Sequence, residues 1–180
     1  MRTKLTEYQE HKTHRLLLIF WRLVGEKVFL ILPNVMRISL LRLFGARVGS
    51  HCLFYRTAKI FAPWNLIAGD AVCLGPRAEI YNKGRIQLGS GIVVSQDAYL
   101  CTASHDISDP RMGLVVKSII VGDDVWIAAK ASILPGVTIG EGSVVGACAV
   151  VAKDVAAWSV VVGNPARIVK KRCFKEGTIV

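Results

Sequence analysis

The chain has 180 residues, enough for one domain with a substantial core, and carries a formal net charge of +10 with 52% apolar residues. That charge favours anionic partners such as a phosphate-bearing cofactor or an anionic lipid. Five cysteines without a C-x-x-C pair argue for buried or half-buried thiols in a reducing compartment, against disulfides and metal knuckles.

Residues 1–15 are polar and read as a frayed start. Residues 16–32, LLLIFWRLVGEKVFLIL, are the one membrane candidate, but Arg22, Glu26 and Lys27 interrupt the middle. Central charges cost about 2.5–3.5 kcal/mol each on insertion scales, which excludes a spanning helix and leaves an amphipathic one. Its expected stripe is Leu16, Phe20, Leu23 and Lys27. Pro33 stops it, and a second helix is expected over 34–44, with Asn34 as its cap and Gly45 as its end.

From Val48 the period becomes six. Apolar or small residues, often followed by glycine, recur at Val48, Phe54, Ile60, Ala68, Leu74, Ile80, Leu88, Val94 and Leu100. After a gap come Val121, Ile127, Ile133, Ile139, Val145 and Val151. The fourth position after each is usually small or β-branched, as at Cys52, Ala78, Val125 and Ala149. Two inward positions in every six suit a narrow triangular coil, and three hexads make one turn. The early turns step by 20 residues and the late ones by 18, whereas the step from 88 to 121 is 33. That turn therefore carries an insertion of about 15 residues, and His105 lies inside it.

The repeat, with SQDAYLCTASHDISDP (95–110), PWNLIAGD (63–70), LFGARVG (43–49) and VVGNPARIVKKR (161–172), resembles the hexapeptide-repeat acyltransferases. Within them it is most similar to the colanic-acid and exopolysaccharide O-acetyltransferase group. The resemblance implies an all-β solenoid, a left-handed parallel β-helix, assembled as a homotrimer with sites between subunits. The expected layout is a capping helical segment over 1–45, the β-helix over 46–160 with a catalytic loop at 101–118, and a basic tail over 161–180. The implied reaction uses acetyl-CoA as donor, needs no metal, and acetylates a saccharide hydroxyl.

A hydroxyl is a poor nucleophile at neutral pH, so a base must take its proton. Histidine, with an ordinary pKa near 6.5, suits that task, and the resemblance places the base at His105. It further implies acceptor contacts at Asn82 and Asp106. For the donor it implies Trp126, Ala128, Ala129, Ala147, Lys153, Arg167 and Lys170, with the Ala128 and Ala129 N–H groups as candidate oxyanion donors. Lys171, Arg172 and Lys175 add nearby charge. Asn82 also follows from counting, since it lies 20 residues before Thr102 and stacks beneath the start of the insertion.

Two other readings share the scaffold. A zinc enzyme like the γ-class carbonic anhydrases needs three histidines; only His51 and His105 lie within the coils, while His11 and His14 sit in the polar start. A non-catalytic trimeric scaffold is the second. The expected location is cytoplasmic, with contact through residues 16–44 to the inner membrane face where a lipid-linked acceptor would lie. Nucleic acid is not an expected partner.

Overall fold

The structure, a computed structural model, describes residues 15–173. His11, His14 and Lys175 fall outside them. Short strands wind into a triangular left-handed β-helix of about six turns. The first face stacks Arg47–Val48, Leu66–Ala68, Ile86–Leu88, Ile119–Val121 and Thr138–Ile139 in parallel. The second face stacks Leu53–Phe54, Cys73–Leu74, Val93–Val94, Trp126–Ile127, Val144–Val145 and Ser159–Val162; the third stacks Lys59–Ile60, Glu79–Tyr81, Tyr99–Cys101, Ser132–Ile133 and Val150–Val151. Leu100 pairs with Ile133 in register across the insertion, so the 33-residue step costs the coil nothing in alignment.

Every inward position named by the six-residue repeat is buried, from Val48 to Val151, as are the small or β-branched residues four places on. The glycines have a separate cause. Gly49, Gly69, Gly89, Gly122 and Gly140 form a column where the first face turns into the second. A Cβ on Gly122 would sit 2.6 Å from the Glu141 backbone nitrogen, and one on Gly140 would sit 2.4 Å from that of Ala157. Corner rests on corner there, so only hydrogen fits. The next residues of the same corner take left-handed backbone: His51, Ala71, Gly91, Asp124, Gly142 and Trp158 all have positive φ. His51 is thus a corner residue of the first coil.

An open solenoid end exposes unpaired backbone and apolar core. Here α1 (Arg15–Phe20), a π-helical turn (Trp21–Gly25), α2 (Glu26–Ile31) and α3 (Asn34–Leu43) close it. Trp21 Nε1 donates to the Ile60 carbonyl at 2.8 Å, and Arg37 Nε donates to that of Phe54 at 3.0 Å. Asn34 does not cap α3. Its amide reaches the first coil instead, donating to the Cys52 carbonyl at 2.8 Å and accepting from the Phe54 N–H at 2.9 Å. Gly45 ends the helix with φ of 89°.

The stripe read from the sequence lies on the side away from the coil. Trp21, Gly25 and Phe29 face the coil, while Leu16, Phe20, Leu23 and Lys27 are exposed. The π-helical turn inserts a residue into the helical register, and a Cβ at Gly25 would collide with the Trp21 ring at 2.2 Å. Among the described residues, no helix is long and apolar enough to cross a membrane.

At the far end the tail returns as a strand, Arg167–Lys171, antiparallel to Ser159–Val162. Arg172 fastens it, donating from Nη1 to the carbonyls of Asp124 at 2.8 Å and Gly142 at 3.0 Å. All five thiols are free. Cys52 and Cys101 are buried and Cys73 half-buried, but Cys148 and Cys173 are exposed, because they stand on a coil corner and in the tail.

Candidate active site

The insertion leaves the corner between the third and first faces and forms a β-hairpin, Ala103–His105 against Leu114–Val116, with His105 opposite Leu114. Its foundation is a ladder of side chains at that corner. Asn82 Oδ1 accepts from the Ala62 N–H at 2.9 Å and Nδ2 donates to the Ala62 carbonyl at 2.7 Å, tying the first coil to the second. One coil up, the Thr102 hydroxyl donates to the Tyr81 carbonyl at 3.1 Å and accepts from the Gly84 N–H at 2.9 Å. The hairpin then lies over Gly84, where a Cβ would fall 2.6 Å from Val116 Cγ1.

The expectation for Asn82 is therefore corrected. It stacks beneath the insertion as counted, but it is fully buried and both ends of its amide bind Ala62 backbone. Burial without these bonds would leave orphaned polar groups, so the residue holds the hairpin's base and does not face an acceptor.

His105 is exposed at the hairpin's end, and its Nδ1 lies 2.7 Å from the Met112 carbonyl oxygen. A carbonyl can only accept, so Nδ1 carries a proton, and in the neutral ring Nε2 presents its lone pair outward. That is the tautomer a proton acceptor needs. Met112 reaches this position in left-handed backbone, φ 46°, after a turn in which its N–H donates to Asp109 at 2.7 Å. Asp106 Oδ1 accepts from the Ser108 N–H at 3.1 Å and from the Ser108 hydroxyl, shaping the loop. No sequence signal marks Met112, because any residue supplies a carbonyl.

The remaining site residues, Lys153 apart, lie on other sides of the prism. Trp126 projects half-exposed from the second face, opposite the hairpin corner, its Nε1 donating to Ser95 Oγ at 3.0 Å. Ala128 begins the next corner, but its N–H is engaged in the coil ladder with the Val145 carbonyl at 2.8 Å. It is thereby removed as an oxyanion donor. Ala129 follows it, and Ala147 is exposed one coil further on the same corner. Arg167 and Lys170 stand exposed on the returning strand beside the second face. Lys153 is exposed on the hairpin's own corner, two coil steps above Thr102. Within one chain, then, His105 and Lys153 share an edge while Trp126, Arg167 and Lys170 lie across the core. His51 and His105 are separated likewise, by two coils and a different corner. Among the described residues, no group of three metal-binding side chains occurs.

The architecture is thus a parallel β-helix interrupted by a hairpin that carries an exposed histidine. The family described as bacterial transferase hexapeptide (six repeats) matches residues 118–153. A relative named for colanic acid biosynthesis, the acetyltransferase WcaF of Escherichia coli (strain K12), is 39% identical over 159 residues, covering 87% of each chain. The hexapeptide-repeat acetyltransferase VCA0836 of Vibrio cholerae superposes with a TM-score of 0.81 at 27% identity, over 90% of this chain and 92% of that one. Its complex with acetyl coenzyme A gives 0.74 at 28% identity, over 83% and 85%. A maltose O-acetyltransferase from Clostridium difficile 630 gives 0.76 at 25% identity, over 97% and 90%. The chain belongs to the hexapeptide-repeat acetyltransferases.

Proposed function

We propose that the protein O-acetylates a sugar hydroxyl during surface-polysaccharide assembly, with His105 as general base. The observation that carries this reading is the bond between His105 Nδ1 and the Met112 carbonyl, which leaves Nε2 as the acceptor at an exposed hairpin end. Nε2 takes the acceptor's O–H proton as the oxygen attacks the thioester carbonyl. The tetrahedral intermediate collapses, the C–S bond breaks, and the imidazolium returns the proton to the departing thiolate. The base contributes about 10²–10⁴-fold. The saccharide reading is supported by the names of the E. coli and C. difficile relatives.

For the donor, Lys153, Arg167 and Lys170 are the cations suited to coenzyme phosphates, and Trp126 offers an indole face beside the thioester arm. Ala129 is the oxyanion donor in this reading, and Ala147 leaves room for the arm. Asp106 acts through the loop that holds the base. Because His105 and Trp126 project from opposite sides of one prism, they meet only if a second copy supplies one of them, which supports a homotrimer with shared sites. The active chain is placed in the cytoplasm, where acetyl-CoA is made.

The test is single-turnover transfer from acetyl-CoA to candidate saccharides, read by mass spectrometry. Acetylated sugar from the native chain and its loss in His105→Ala, with oligomer mass unchanged, are expected. Transfer by His105→Ala at the native rate would refute the base. Mixed oligomers of His105→Ala and Trp126→Ala chains regain activity only if sites are shared.

A further inference from the structure

The helical cap is apolar on two sides, and the coil uses only one. Trp21, Gly25 and Phe29 face the first coil. On the other side Leu16 is 83% exposed, Leu23 69% and Ile31 82%, with Ile19, Phe20 and Leu30 between them. Leu16, Ile19, Phe20 and Leu23 follow the three- and four-residue spacing of a helical stripe, and Leu30 and Ile31 lie beyond the π-helical turn. Arg15 lies four residues before Ile19, and Lys27 lies four from both Leu23 and Ile31, so cations punctuate the same stripe.

The charge around the stripe decides what covers it. Residues 15–56 hold the single acid Glu26, paired with Arg22 at 3.0 Å, against exposed Arg15, Arg22, Lys27, Arg47 and Arg56; Arg37 is buried against the first coil and Arg42 binds the Val48 and Gly49 carbonyls. A second copy of this end would set like charge against like charge. A stripe of long aliphatic side chains matches a fluid apolar phase beneath anionic headgroups.

We propose that this end of the molecule docks on an anionic lipid surface, with Leu16, Phe20, Leu23 and Ile31 inserted and Arg15 and Lys27 at the headgroups. The helix lies in the interface plane and does not span it. Docking also sets the height of the base. His105 leaves two coil steps above the capped end, about 10 Å at the spacing of paired strands, plus about 10 Å for the helix's own thickness. The base then stands about 20 Å above the lipid plane. Docking is independent of which hydroxyl is acetylated.

The experiment is flotation of the full chain with phosphatidylglycerol-containing vesicles and with phosphatidylcholine-only vesicles, at low and high salt. The native chain is expected to float with the anionic vesicles and to be partly released by salt. Leu16→Ser/Leu23→Ser/Ile31→Ser is expected to bind at least about tenfold more weakly, with unchanged thermal unfolding, since these side chains are exposed. Equal flotation of native and variant chains, or none by either, would overturn docking. So would a change in the variant's oligomer mass without lipid, which would assign the stripe to a second copy. A chain lacking residues 1–14 that floats when the full chain does not would overturn it equally, by showing that this segment covers the stripe.

Discussion

The coil corners and the hairpin are built from the same chain by opposite rules. At a corner, polar groups are used on the neighbouring coil: Asn82 on Ala62, Thr102 on Tyr81, and Asp123 Oδ1 accepting from the Ser90 N–H at 2.7 Å. In the hairpin, the loop residues satisfy one another, and His105 is left with one ring nitrogen bonded and the other facing out. Stability resides where each turn satisfies the next, and chemistry where the chain leaves that contract.

The sharpest way to break this contrast is to exchange the two kinds of residue. His105→Ala should lower transfer by about 10²–10⁴-fold and leave the melting temperature unchanged, read by kinetics and calorimetry on one preparation. Asn82→Ala should do the reverse. It orphans the N–H of Ala62, whose carbonyl keeps the Asn65 N–H at 3.0 Å, so denaturant unfolding should register a loss of about 1–3 kcal/mol. Turnover per folded molecule should change far less than in His105→Ala.

Glycine positions sharpen the contrast further. Gly122→Ala forces a corner apart and should cost about 1–3 kcal/mol in denaturant unfolding, with transfer retained. Gly84→Ala pushes on Val116 at the hairpin's base, and should reduce kcat by more than its effect on stability explains, because a small displacement of the base is costly. The smallest effect belongs to Glu26. Burial holds its carboxyl above the ordinary 4.5, against the opposing pull of Arg22, Lys27 and Lys59. The stability linked to it is thus present below the unfolded titration point and lost as pH rises through the raised folded one. Glu26→Gln should remove that slope from a pH series of melting temperatures and change stability at neutral pH by less than about 1 kcal/mol.

The fold was legible because the repeat is enforced at every level: inward volume, corner glycine and coil length all carry the period. The insertion was legible for the same reason, as a miscount. What stayed hidden were orientations. Asn82 and an acceptor-binding asparagine look identical in sequence; only the Ala62 backbone one coil below decides which it is. The Met112 carbonyl has no residue signature. Which side of the helical segment packs on the coil had no signature either: Leu16, Phe20, Leu23 and Lys27 face away from it, and Trp21, Gly25 and Phe29 face it.

Strand pairing has a further consequence for length. Each turn advances the stack by about 4.8 Å, and Thr102 and Lys153 occupy the same corner two turns apart. The axial offset between the root of the catalytic hairpin and this cation is therefore a whole number of turns, about 10 Å. It can change only by adding or deleting an entire coil of 18 residues, as from Val121 to Ile139. The β-helix is a ruler graduated in turns, and a donor of different span would require a new graduation, not a mutated side chain.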